Sequence, residues 1–321
     1  MSLAKHSQVD KNTTARRKFG RREKPITMPV LSRVILILIG SLVLLLPEAA
    51  PAGAPRIHLI TSYDFPGSDV SYTFGGAIAN NGGIAGIVGL NTSRVVGYER
   101  RLNGKFSPRI VFPGSSLTSA YGVNSAGVVS GTFSSDADHG FFYDRGSYTQ
   151  YDVPGAIHTN VTGLNDAGDF CGFYFTDASV ITPFLNVGGT LIPFSIPGIN
   201  VVYARAINNL GEVAGGYVDP ADEQVEHGFL READGTLIYP LDPPNSHTSA
   251  FFGLNNNGVL VGTYTDLSLV AHAFLLQLPN KFLSYDFPGG DYSIFRGIND
   301  SGFISGDALT DTFHAFIARI R

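Results

Sequence analysis

From Ile57 onward, apolar and polar residues alternate in short runs, and Gly, Asn, Asp and Pro separate the runs. Val, Ile, Thr, Phe and Tyr fill them, which predicts strands, and nothing there shows a helical period. The runs repeat. A pattern Gly/Ala-aliphatic-Asn-x-x-Gly-x-aliphatic-x-Gly recurs six times, starting at Ala77, Gly122, Gly163, Ala206, Gly253 and Gly297. Its turn glycines are Gly82, Gly127, Gly168, Gly211, Gly258 and Gly302, spaced by 45, 41, 43, 47 and 44 residues. A second pattern, His-Gly/Ala-Phe, follows at His139, His227, His272 and His314, while Val96 and Thr182 stand there in the first and third copies. A third, Tyr-Asp-x-Pro-Gly, closes the unit at Asp64, Asp152 and Asp286, and is degraded near Val111, Ser195 and Leu241-Asp242.

Each unit reads as four strands, in the fifth copy 249–255, 259–265, 271–276 and 281–287. A period near 44 with four strands is the signature of a propeller blade. The expected fold is all-β: a six-bladed β-propeller of four-stranded blades over residues 57–321. The domain opens on a lone fourth strand, 57–66, and ends after a third strand, 312–320. The N-terminal strand therefore completes the last blade and closes the ring, leaving few exposed edges. The histidines fit this phasing. His139 pairs with Asp152, His272 with Asp286, His314 with Asp64, and His227 with Asp242 shifted by one position. Units one and three lose both partners together, with Val96 against Val111 and Thr182 against Ser195. Neither a buried imidazole nor a buried carboxylate tolerates being alone.

Composition agrees. Glycine accounts for 38 of 321 residues against a usual ~7%, as repeated tight hairpins require. Only 15% of residues are charged, which excludes a long solvated coiled coil, and 23 Phe with 14 Tyr exclude a disordered chain. One short apolar run excludes a polytopic membrane protein.

That run belongs to a distinct leader, residues 1–52. A basic region, 1–33, precedes an apolar core, 34–46, and a small-x-small end at Ala50-Pro51-Ala52. This reads as a secretory signal peptide cleaved after Ala52. Retained, it would anchor the chain, although thirteen residues reach only about 20 Å of the ~30 Å hydrocarbon core. Met28 offers a more ordinary start than Met1, and Arg16-Arg17-Lys18-Phe19 is a weak twin-arginine signal. The leader also masks the charge. The chain carries 22 basic and 27 acidic residues; removing the leader's nine and three leaves 13 and 24, a net charge of −11. An exported, acidic, monomeric domain is expected, with no nucleic-acid partner. The single cysteine, Cys171, allows no internal disulfide.

The repeats resemble those of the bacterial extracellular proteins named for their His-Ala-Phe (HAF) repeats. His272-Ala273-Phe274 and His314-Ala315-Phe316 match literally, and the resemblance spans residues 57–321. It implies an exported, propeller-like protein and carries over no catalytic residue.

Few residues look chemical. The turns at Asn124, Asn165, Asn208, Asn255 and Asn299 lack the alternating carboxylates of a calcium loop and read as Asx turns. The repeated histidines lie in separate blades and do not make a zinc cluster. Cys171 takes the place of Ala85, Ser130, Ala214, Val261 and Ser305 and reads as a small strand residue. No cofactor or metal is expected. The column just before the first pattern does vary: Gly76, Tyr121, Thr162, Arg205, Phe252 and Arg296. Directed to the axial mouth, Arg205, Arg296, Tyr121 and Phe252 would suit an acidic or sugar-like ligand. Otherwise the two arginines sit on blade faces, paired with local acids. The acidic insertion 219–226 reads as a solvated loop, with a cation clip as the minor reading. Beside a purely structural envelope protein, two function classes remain. One is a non-enzymatic propeller that binds a glycan or envelope protein. The other is a polysaccharide hydrolase or lyase with an axial site, which the absence of Asp and Glu from the six inner strands disfavours.

Overall fold

A computed structural model describes residues 55–222, 225–279 and 281–321, which lie in the unit Ala52–Arg321. The leader, with its signal-peptide reading, falls outside the described residues. Every regular element described is a strand.

Each repeat contributes an antiparallel meander. The first strands are Val70–Phe74, Leu117–Val123, His158–Leu164, Val201–Ile207, Ser246–Leu254 and Tyr292–Ile298. The second are Ile84–Leu90, Val129–Ser134, Phe170–Asp177, Val213–Asp219, Val259–Asp266 and Phe303–Leu309. The third are Val95–Arg100, Asp138–Asp144, Val180–Val187, Val225–Arg231, Ala271–Gln277 and Phe313–Ile320. Fourth strands are Ser147–Tyr151, Thr190–Pro193, Leu237–Ile238 and Lys281–Tyr285. The strand Ile57–Tyr63 lies antiparallel against Phe313–Ile320, in the place of a fourth strand for the last meander. Single parallel bridges, Val95–Leu117 and Ile181–Val201, link neighbouring meanders.

Two expected strands are missing or cut short. The first unit has only isolated bridges at Phe106 and Ile110, and the fourth unit's last strand is two residues long. Proline explains both, since it lacks the ladder donor. Pro108 and Pro113 flank Ile110, and Pro240, Pro243 and Pro244 follow Ile238.

The repeat pattern has a packing reason at each position. Tyr98, Phe141, Phe184, Phe229, Phe274 and Phe316 are fully buried, one per unit. Each stands opposite the pattern's closing glycine on the second strand, as Phe316 does to Gly306. The ring lies on that glycine: a Cβ at Gly306 would come within 2.6 Å of the Phe316 ring. The x residue of Tyr-Asp-x-Pro-Gly is buried between units at Phe65, Val153 and Ile196. At Phe65 and Val153 its amide donates to a hydroxyl of the next first strand, Thr73 or Thr159, at 3.0 Å.

The Asn-x-x-Gly turns join the units. Each turn glycine has a left-handed φ, 68° to 87°, which only glycine adopts without strain. Within each turn the Asn Oδ1 accepts backbone amides two and four residues on, as Asn165 does from Ala167 and Asp169. Its Nδ2 donates to the carbonyl of the next turn: Asn124 to Asn165, Asn165 to Asn208, Asn208 to Asn255, Asn255 to Asn299, and Asn299 to Ala79, at 3.0–3.3 Å. One residue on, the amides of Ser125, Asp166, Asn209, Asn256 and Asp300 donate to the side chains of Asp166, Asn209, Asn256, Asp300 and Asn80. Between units one and two, Ala79 and Ser125 lack the required groups, and Asn81 Nδ2 reaches Ser125 O instead.

Asn165→Ala should therefore lower stability by about 2 kcal/mol, because two part-buried turn amides and the buried Asn208 carbonyl lose their partner. Asn103→Ala, in an exposed turn, should lose less than about 1 kcal/mol. Urea unfolding monitored by circular dichroism measures both, and equal losses would contradict the assignment.

Candidate functional site

The first strands of units two to six share one irregularity. Opposite the second strand, the register skips one residue in units two to six: Tyr121, Thr162, Arg205, Phe252 and Arg296. Each is the extra residue of a β-bulge, and a bulge re-aims the side chain it frees. The five converge on one cavity of about 380 Å³, where Gly76 stands for the first unit. All four mouth residues singled out in the sequence, Arg205, Arg296, Tyr121 and Phe252, line it. Phe74, Ile87, Phe173, Tyr203 and Asn160 complete its walls.

Phe252 lies between the two arginines. The Arg205 Cζ is 4.8 Å from its ring centroid, and the Arg296 Cζ is 5.1 Å away. Arg205 also covers Tyr203 at 4.8 Å, and Arg296 faces Phe74 at 5.7 Å. Such cation–π contacts fix both the guanidiniums and the ring.

Both arginines, while lining the cavity, are also paired with acids. Arg205 Nη1 donates to Glu226 Oε1 at 2.5 Å. Arg296 donates to Asp307 through Nε at 2.8 Å and Nη2 at 3.4 Å. Burial lifts the Asp307 carboxyl above its usual range, against the pull of Arg296. Burial opposes the Arg296 charge, but the charge and hydrogen bonds of Asp307 override it and raise its pKa.

These acids were not visible as mouth residues in the first strands. Asp307 comes from a second strand, one residue after the closing glycine, where other units have Ile87, Thr132, Phe173, Gly216 and Thr263. That column also varies, so it held a signal. Glu226 comes from the insertion 219–226, which is not simply a solvated loop. Its ends extend two strands, Asp222 reaches His227 and Glu226 reaches Arg205.

The histidines sit apart from this cavity's lining. His139, His227, His272 and His314 hydrogen-bond through Nδ1 to Asp152, Asp242, Asp286 and Asp64 at 2.6–2.9 Å. A second carboxylate faces each Nε2: Asp136, Asp222, Asp266 and Asp311 at 3.0–3.5 Å. Sequence reading missed this second set, although Asp-x-x-His recurs at Asp136 and Asp311. Val96 and Thr182 replace the histidine in the other units, and Val96 is buried among apolar neighbours. Burial forces the Cys171 thiol up to about 12. Among the described residues, no group of three or more His, Cys, Asp or Glu is placed to hold a metal ion.

Other hollows are present. One of about 60 Å³ is lined by the Asn-x-x-Gly turns of several units. Another of about 510 Å³ lies over units one and two, beside Glu99, Arg101, Leu102 and Arg145. A further hollow of about 70 Å³ shares Tyr121, Thr162, Arg205 and Phe252 with the 380 Å³ cavity, which alone of the two also takes in Arg296.

No protein-family model and no curated protein matches the chain. Among solved structures it is similar to AofleA from Arthrobotrys oligospora, at 12% identity over 84% of this chain and 86% of that one, with a TM-score of 0.50. A lectin from Aleuria aurantia, solved with α-methyl-L-fucoside, shares 10% identity over 83% and 96%, with a TM-score of 0.47. TolB from Acinetobacter baumannii shares 11% over 78% and 56%, with a TM-score of 0.46. At such identity the likeness is one of fold, and the domain is all-β and propeller-like.

The histidine–carboxylate sites set a pH dependence. Burial alone lowers the pKa of His139 and His314, but hydrogen bonds and charge from Asp152, Asp136, Asp311 and Asp64 raise both. Asp136 falls to about 2 through Ser135 and His139, and Asp311 to about 2 through His314 and Thr310. The raised histidines stabilise fully below the unfolded value of about 6.5 and lose this as pH rises through their folded values. The lowered aspartates stabilise fully above about 4 and lose this as pH falls toward their folded values. The melting temperature should therefore be highest between about pH 4 and 6.5. Its alkaline fall should be shallower with His139→Gln and His314→Gln; an unchanged slope would show that these sites do not titrate as described.

Proposed function

We propose that the domain is an exported, non-enzymatic six-bladed β-propeller of the His-Ala-Phe repeat type that binds a glycan at its axial mouth. Closure of the ring by Ile57–Tyr63 is supported by its pairing with Phe313–Ile320, and by the bonds from Asn299 and Asp300 to Ala79 and Asn80. Among the described residues no helix is long and apolar enough to cross a membrane. The exported address rests on the leader's composition.

One observation carries the binding reading: the bulged side chains of five units converge on one cavity with Phe252 held between Arg205 and Arg296. Aromatic faces stack on the C–H face of a sugar ring, and guanidinium and carboxylate groups make planar hydrogen bonds to its hydroxyls. An axial hydrolase would need two acids about 5 to 9.5 Å apart and free to act. The acids near this cavity, Glu226 and Asp307, are each engaged by an arginine, and the Asp307 side chain is 1% exposed.

A glycan panel followed by titration calorimetry tests the reading. Phe252→Ala, and Arg205→Ala with Arg296→Ala, should each weaken binding at least about tenfold. Unchanged binding would place the site elsewhere, and release of reducing ends by the native protein would make it an enzyme. Closure has its own test. A chain lacking residues up to Pro66 should melt on the order of 10 °C lower or fail to fold, because the Phe313–Ile320 edge is bared. An unchanged melting temperature would refute closure by that strand.

A further inference from the structure

The charges around the mouth allow a narrower statement, which rests on the carbohydrate reading above. Two cations, Arg205 and Arg296, line the cavity, and each already has a carboxylate: Glu226 and Asp307. No Lys, His or further Arg lines it among the described residues. The site therefore has two ion pairs and no surplus positive charge. A ligand carboxylate or sulfate would have to displace Glu226 or approach it and Asp307, and like charges at such range repel. Outside the leader the chain carries 24 acids against 13 bases, so a polyanion is repelled at long range as well.

The rest of the lining suits an uncharged ring. Phe74, Phe173, Tyr203, Tyr121 and Phe252 offer apolar faces. Asn160 accepts from Thr132 at its Oδ1, and its amide donors have no protein partner among the described residues. A cavity of about 380 Å³ is near the lower end of the ~300–1,000 Å³ range of ligand pockets and holds one or two sugar rings.

We propose that the mouth selects neutral sugar residues over carboxylated or sulfated ones, and that Glu226 sets this selectivity by neutralising Arg205. Glu226 is the informative lever. Its side chain is 27% exposed and comes from the insertion peculiar to the fourth unit, whereas Asp307 is buried beneath Arg296. Removing Glu226 leaves Arg205 with an unmatched charge beside Phe252.

The test is titration calorimetry with methyl glycosides and disaccharides in matched pairs, glucose against glucuronic acid and galactose against galacturonic acid, at about 20 and 150 mM salt. In the pair that binds, the native protein should favour the neutral member at least tenfold. Glu226→Gln should shift that ratio toward the acid about tenfold, more strongly at low salt. The double variant Arg205→Met with Glu226→Gln removes the pair without changing net charge and should restore the neutral preference; circular dichroism verifies folding of each. A native protein that binds the acid as tightly, or a ratio untouched by Glu226→Gln, would overturn the inference and leave carbohydrate binding standing. If no sugar of either class binds the folded native protein, the carbohydrate reading itself falls.

Discussion

The turn asparagine is the group on which the architecture depends. Its oxygen closes its own hairpin, and its amide donates to the next turn's carbonyl, so one side chain specifies both a local turn and a neighbour. These amides are buried, and an unpaired one would cost about 1–3 kcal/mol. The link requires the first strands to lie very close together. Small residues allow it: a Cβ on Gly253 would stand 2.7 Å from Gly297 Cα, and one on Gly297 would stand 2.8 Å from the Ile78 amide. The repeat therefore reads Gly/Ala-aliphatic-Asn for reasons of packing between units as well as of turn geometry.

The same strands become a site because five of the six are bulged just ahead of that close contact. The freed side chain no longer has to match a ladder partner, so it varies from Tyr121 to Arg296 without disturbing the pairs around it. Function is thus separated from framework within a single strand. The acids come from elsewhere, from the second strand at Asp307 and from the insertion at Glu226. The result is a lining of aromatic faces and internally balanced charge.

Much of this was readable before any coordinates. Positions that repeat carry packing constraints, so the buried Phe141 and Phe274 and the turn glycines stand out by recurrence. The gain and loss of His with Asp also recurs, and the pairs lie within hydrogen-bonding distance. What was illegible has a physical reason. A bulge shifts the alternation of one strand by a single residue, and so near the strand's end that shift reads as the strand stopping. Prolines near Ile110 and Ile238 suppressed ladder pairing that the period alone predicts. Glu226 looked like a solvated acid because its partner Arg205 is 21 residues away. Asp136 and Asp311 were missed because their partner is the far nitrogen of an imidazole already bonded at its other side.

The joining of the units by their turns has a direct readout in amide hydrogen exchange on the native chain. The amides of Ser125, Asp166, Asn209, Asn256 and Asp300 each donate to a side chain of the next unit, whereas Asn80 faces Ser125 and has no such partner among the described residues. The account predicts slow exchange at those five amides and fast exchange at Asn80, with Asp300 protected across the 220 residues that separate it from Asn80. Fast exchange at Asp300 with protection at the other four would mean that the last and first units do not meet. Uniformly fast exchange would contradict the joining of the units altogether.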